Sequence, residues 1–178
     1  ASSEACMRDL FTRVRGLLRP GGRVLASVTN SDALGDFFAR GVEAAGAGPA
    51  AERGVEGGNR LFSLGFRHEV WRRLDVRDEE AFEEAFSQRW GYPYVFSLAG
   101  AVNSQEEYNV PWEAFEELVT GLGFKVLLDG RFPEIYSAYA ERSRFYKGVF
   151  SNDPLSGSLS AEEAELFGLY SAFVLERA

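Results

Sequence analysis

The chain has 178 residues, 46% of them hydrophobic and 14% aromatic, enough to bury the core of one compact domain. Its formal net charge of −8 argues against a domain that grips nucleic acid along a basic face, and its single cysteine, Cys6, excludes a disulfide within the chain and fits a reducing compartment. No apolar run approaches the roughly 20 residues of a membrane-spanning helix, and nothing at the start resembles a signal peptide.

Residues 3–18 place Cys6, Leu10, Val14, Leu17 and Leu18 on one helical stripe. The pattern begins at Ala1 without a cap or a frayed tail, which reads as a fragment. Pro20, Gly21 and Gly22 stop the helix, and Arg23 to Val28 then reads as a short buried strand. Helix, Pro-Gly-Gly and buried strand make one half-turn of a doubly wound sheet. A second helix is expected over 32–45, with Leu34, Phe37, Phe38 and Val42 facing inward. The Gly- and Ala-rich stretch from Ala44 to Asn59 reads as a loop.

Leu61 to Phe66 alternates as a strand, Glu79 to Arg89 reads as an acidic amphipathic helix, and Tyr92 to Leu98 is aromatic and strand-like. Trp112 to Leu122 is expected to be helical after Pro111, with Gly123 ending it before a strand from Phe124 to Leu128. A helix from about Pro133 to Tyr146 carries Tyr136 and Tyr139 three apart. Ser151 to Ser160 is a polar loop, and Ser160 with Glu163 forms a capping box for a short last helix. Leu169 to Leu175 closes the chain as a strand. No composition shift marks a boundary, so residues 1–178 are taken as one unit.

Two blocks carry more than local structure. Leu17-Leu18-Arg19-Pro20-Gly21-Gly22-Arg23-Val24-Leu25 resembles the entry to the fifth strand of class I S-adenosylmethionine-dependent methyltransferases. The block Trp90-Gly91-Tyr92-Pro93-Tyr94-Val95-Phe96-Ser97-Leu98, followed by Ala101 to Val110, is similar to a stretch of the mRNA cap (guanine-N7) methyltransferases. Three further matches follow the same order along the chain. They are Gly58-Asn59 before Leu61 to Phe66, Phe132-Pro133-Glu134-Ile135-Tyr136, and Pro154 to Ser160 running into Leu169 to Glu176.

The resemblance implies an α/β, Rossmann-like class I methyltransferase fold, of which this chain is the carboxyl-terminal part with a mixed sheet. It implies transfer of a methyl group from S-adenosyl-L-methionine to N7 of the GpppN cap guanine of RNA. It places Glu107 at the family's cap-contacting glutamate and Tyr170 at a tyrosine lining the cap pocket. Tyr94 would line the same pocket, and Asn30 lies just past a strand end, where open α/β sheets place ligands.

The chemistry supports these positions. Guanine presents an N1–H and an N2–H₂ on one edge, and a carboxylate accepts both. The same negative charge favours the cationic 7-methylguanine product. A tyrosine ring stacks on a purine and attracts developing positive charge. N7 already carries a lone pair, so no general base is needed, and alignment and field do the work. No catalytic residue and no metal site are expected; His68 and Cys6 lack partners for either, and His68 reads as a surface residue.

The chain departs from the family pattern at Thr29 and Glu106, where proline is usual, which puts the aim of Glu107 in question. The glycine-rich donor loop of the family has no counterpart here, because neither Gly46-Ala47-Gly48 nor Gly57-Gly58 follows an apolar strand. S-adenosyl-L-methionine is therefore expected to bind mainly to a preceding amino-terminal half, the chain's first partner. The capped 5′ end of mRNA and other capping enzymes are the further partners, with no membrane. The implied location is nuclear, or cytoplasmic for a viral or cytoplasmic capping system. Two rivals stand beside this reading: another class I methyltransferase, and a non-catalytic cap-binding subunit that has lost the donor site.

Overall fold

A computed structural model describes residues 3–45, 55–66, 90–139 and 159–178. The expected helix over 79–89, the polar loop 151–158, His68 and the end of the helix beyond 139 lie outside the described residues, as does the side chain of Val42.

Helix α1 spans Ser3–Leu17 and strand β1 spans Arg23–Thr29. The buried stripe of α1 keeps Val14 and Leu18 of the expected one but not Cys6, Leu10 or Leu17. Phe11 is buried, with Met7, Val14 and Leu18 packed around it, while Cys6 is exposed and Leu17 is 87% exposed. The spacing 7, 11, 14, 18 is as helical as 6, 10, 14, 17, and the larger payload decides between them. The Phe11 ring meets Phe115 at 5.2 Å and Phe124 at 6.0 Å, both edge-on. The carbonyls at the end of α1 are satisfied from the far end of the chain, because the Arg177 guanidinium donates to Arg15 O (3.0 Å) and Leu18 O.

Strand β1 pairs antiparallel with β7 (Tyr170–Arg177), which pairs antiparallel with β6 (Phe124–Arg131). Strands β1 and β6 therefore run the same way on either side of β7. Neighbouring strands among the described residues are all antiparallel, so the parallel component of the expected mixed sheet exists only across β7. Helices α1 and α3 (Trp112–Gly121) cover one face of this sheet through Phe11, Phe115, Leu118 and Val119, over Phe124, Phe173 and Leu175.

The second sheet has the order β2-β3-β4-β5. Its strands are Val55–Gly58, Phe62–Phe66, Pro93–Leu98 and Val102–Tyr108. Helix α2 (Ser31–Ala45) seals it with Leu34, Phe37 and Phe38, the last meeting Phe66 at 4.4 Å between ring centroids. Strand β2 overturns the expectation of a loop through Asn59. The glycines there are packing residues: a Cβ at Gly57 would lie 2.8 Å from the Phe37 ring, and one at Gly58 would lie 2.2 Å from the carbonyl oxygen of Phe62. Glycine lets the strand run directly beneath an aromatic ring.

Helix α4 spans Phe132–Tyr139, and α5 spans Ala161–Gly168 behind the expected capping box. The Glu163 N–H donates to the Ser160 hydroxyl (3.2 Å), and the Ser160 N–H donates to the Glu163 carboxylate (2.8 Å). Those two hydrogen bonds hold the Glu163 carboxyl below its ordinary range. Among the described residues no helix is long and apolar enough to cross a membrane.

Candidate functional site

Two cross-strand pairs, one from each sheet, build the site. At the end of β1, Thr29 stands opposite Tyr170, the first residue of β7. Across β4 and β5, Tyr94 stands opposite Glu107. The second pairing depends on a bulge. Leu98 pairs with Val102, but Phe96 pairs with Gln105, so β5 spends one extra residue between these rungs. Ser104, in that interval, sits at φ 47°, and its N–H donates to the Ser97 hydroxyl at 2.9 Å. Without the extra residue the register would set Glu106 opposite Tyr94. With it, Glu107 faces the cleft. Glu106 sits on the other side of the strand, where its carboxylate accepts from the Tyr108 hydroxyl at 2.6 Å. The departure from proline at Glu106 therefore leaves the aim of Glu107 intact.

The end of β5 is locked where it leaves the site. Asn109 is fully buried, its side-chain oxygen accepts from the Tyr92 N–H at 2.6 Å, and its own N–H donates to Tyr92 O at 3.0 Å. The start of α1 lies over the same region. Gly91 sits at φ 81°, where a Cβ would come within 2.6 Å of the Ser3 hydroxyl, so only glycine admits this approach.

The cleft between the sheets has a volume of about 640 Å³. Glu107, Tyr94, Tyr170 and Thr29 line it, with Cys6 and Met7 from α1. Its described lining carries one carboxylate and no lysine or arginine. Such a wall suits a planar, donor-rich or cationic group and leaves an anionic tail outside.

Polar contacts inside the cleft are short. The Tyr94 hydroxyl donates to Glu107 Oε2 at 2.8 Å and lies 2.7 Å from the Thr29 hydroxyl. Tyr94 is 1% exposed, and burial pushes its phenol well above the ordinary tyrosine range, with the neighbouring Glu107 charge adding to the effect. Burial, then Glu107, also raises the Tyr170 phenol. The Tyr170 ring stacks on Phe132 at 5.8 Å and 26° and takes the edge of Phe96 at 6.4 Å.

The structure thus gathers three of the four expected site residues, Glu107, Tyr94 and Tyr170, around one cleft. Asn30 is used differently. Its side-chain oxygen accepts from the Ala33 N–H at 2.8 Å, capping α2, and its amide donates to the Ser171 hydroxyl at 3.0 Å. It holds β1, α2 and β7 together behind the cleft. Phe96 is a core residue, 2% exposed, that backs Tyr170. Thr29 was legible only as a departure from proline; its hydroxyl, which proline would lack, enters the polar chain. Among the described residues no cluster of His, Cys, Asp and Glu could hold a metal ion.

Comparison with known proteins gives this geometry a family context. Residues 2–178 match the family model of the mRNA (guanine-N(7))-methyltransferase domain. The mRNA cap guanine-N(7) methyltransferase of Debaryomyces hansenii is 27% identical over 180 residues, which cover 98% of this chain and 31% of that protein. A protein of the same name from Schizosaccharomyces pombe is 26% identical, covering 98% of this chain and 44% of its own length. In Oryza sativa, mRNA cap guanine-N(7) methyltransferase 1 is 28% identical, covering 99% and 44%. The chain thus spans about a third to under half of these relatives. Among solved structures, an S-adenosylmethionine-dependent methyltransferase from Clostridium acetobutylicum aligns at TM-score 0.39 and 9% identity, covering 98% of this chain and 52% of the other. The CcbJ methyltransferase from Streptomyces caelestis aligns at TM-score 0.42 and 14% identity, covering 99% and 55%.

Proposed function

The chain belongs to the mRNA (guanine-N(7))-methyltransferase family, and from that premise we propose that it is the cap-guanine-recognising part of a methyltransferase domain. The reaction is transfer of a methyl group from S-adenosyl-L-methionine to N7 of the GpppN cap guanine. The carrying observation is the Glu107 carboxylate, held by Tyr94 in a cleft with an aromatic wall at Tyr170 and no lysine or arginine among its described lining residues.

A carboxylate has about four lone-pair sites, so Glu107 can accept from Tyr94 and still receive N1–H and N2–H₂ of guanine. Tyr170 supplies a ring for the purine face, and the carboxylate favours the cationic methylated ring. N7 uses its own lone pair, so the contribution of these residues is orientation and field.

On this reading the methyl donor binds mainly to an amino-terminal half of the domain, within the length of the relatives that this chain does not match. Strand β1 passes into α2 through Thr29 and Asn30 with no glycine-rich turn, and Asn30 itself occupies the helix cap, so these residues do not cradle a donor. Partnership with that remaining part is supported by the relatives' greater length and by β1. Among the described residues, β1 is paired only with β7, and its Leu25 is 76% exposed. The capped RNA end is the substrate. The enzymes that build the GpppN end are the natural neighbours of this activity, and a nuclear location follows from acting on new transcripts.

Titration calorimetry with GpppG and ApppA tests the reading. Glu107→Gln should reduce the guanine-over-adenine preference at least tenfold, the loss expected when a bidentate, charge-assisted contact becomes an amide with the wrong donor pattern. An unchanged preference sinks the assignment.

A further inference from the structure

The polar chain in the cleft has a fixed direction, and that direction assigns a role to a residue the family reading leaves out. The Glu107 carboxylate can only accept. The Tyr94 hydroxyl has one proton and gives it to Glu107 Oε2 at 2.8 Å. The 2.7 Å contact between Tyr94 and Thr29 must therefore run the other way, with the Thr29 hydroxyl donating to the phenol oxygen. Thr29 is 8% exposed and Tyr94 1% exposed, so water does not readily replace either donor.

The Thr29 backbone is held independently. It pairs with Tyr170, and the next residue donates its N–H to Leu169 O at 2.8 Å while its side chain caps α2. Tyr94 is likewise fixed in the interior of β4 opposite Glu107. Of the three side chains, only Glu107 has a long, freely rotating stem. A buried, directed donor at one carboxylate oxygen restricts that rotation and decides how the other acceptor sites face the cleft.

We infer that Thr29 is a positioning residue which, through the Tyr94 hydroxyl, sets the orientation of the Glu107 carboxylate and so its selectivity for a purine edge bearing two adjacent N–H donors. The inference rests on the guanine-recognition reading of this cleft. It adds a residue and a distinct observable, because selectivity should depend on a hydroxyl whose proton is committed to the Tyr94 phenol.

The test is calorimetric binding of GpppG, ApppA and the inosine analogue IpppI, which lacks the second donor at both ends, to the full-length protein and its Thr29→Val, Thr29→Ser, Tyr94→Phe and Glu107→Gln variants. Thr29→Val keeps the shape and removes the donor. It should lower the preference for GpppG over IpppI and ApppA about threefold, and Tyr94→Phe about tenfold, the range expected for loss of one buried hydrogen bond. Thr29→Ser should restore the wild-type ratio. Equal weakening of all three ligands in Thr29→Val would mean a merely structural threonine and would overturn the inference. So would wild-type ratios in both Thr29→Val and Tyr94→Phe when Glu107→Gln loses selectivity, an outcome that leaves the guanine reading standing. If Glu107→Gln keeps its selectivity, the guanine reading falls and the inference falls with it.

Discussion

Tyr94 shows how one side chain serves both the core and the cleft. Its ring belongs to the cluster around Phe38, Phe62 and Leu64, while its hydroxyl supplies a proton to Glu107. The cost of ionising such a buried phenol beside a carboxylate gives a pH signature. A tyrosine in the unfolded chain titrates near about 10, and in the folded chain Tyr94 is pushed above that. The stability carried by the neutral, donating form is therefore complete below about pH 10 and is lost as pH rises from there towards the folded value. Urea melts should favour wild type over Tyr94→Phe by about 1–2 kcal/mol near pH 8, and the gap should narrow at about pH 11. An equal gap at both pH values would show that the phenol proton is not engaged as described. Glu107 and Tyr170 were legible as positions in a family pattern, and Tyr94 only as part of the pocket wall. The proton direction from Thr29 was illegible, because it depends on strands 65 residues apart in sequence meeting at 2.7 Å.

At the scale of elements, the β4–β5 hairpin decides which of two adjacent glutamates reaches the site. Alternation alone offers Glu106 and Glu107 equally, since it assigns one to each face but does not say which face is inside; the family resemblance singles out Glu107 without giving the physical reason. The one-residue bulge settles it, and Ser104 bears the backbone cost at φ 47°. A left-handed residue costs an L side chain roughly 1–2 kcal/mol, most for a β-branched one. Ser104→Val should accordingly destabilise by about that amount and weaken GpppG binding by loosening the register, whereas Ser104→Gly should keep both stability and binding. Thermal melts and titrations of the two variants check this; a harmless valine would remove the bulge from the account. The same limit explains the other misreadings. Periodicity finds α1 but does not choose between stripes one residue apart, a choice made by Phe115, Phe124 and Phe173 across the core. Glycine content read as loop hides β2, because the ring of Phe37 that requires those glycines sits on another element. Pro20, Gly123 and the Ser160 capping box act locally, and they mark element ends where expected.

Over the whole molecule, two antiparallel sheets with separate cores meet at one cleft, and each contributes half of its polar wall. The core under α2 belongs to β3 and β4, while that under α1 and α3 belongs to β6 and β7. Among the described residues, links between the two halves include Thr29 to Tyr94 in the cleft and the packing of Phe96 on Tyr170 beside it. Another cross-link runs from the β2–β3 turn to α5, where the Asn59 amide donates to Glu162 O at 3.2 Å and Arg60 pairs with Glu162. A ligand that bridges Glu107 and Tyr170 would add a further link across the cleft, so its binding energy should appear as cooperativity between the sheets. At about 100 times its Kd, GpppG should stabilise the protein by about 2.7 kcal/mol, a Tm increase of roughly 5–10 °C for a chain of this size. Amide hydrogen exchange should slow together at the end of β1, at the start of β7 and along β4 and β5. Protection confined to one sheet would mean that the ligand sits on a single wall, which would overturn the proposed guanine site between the sheets.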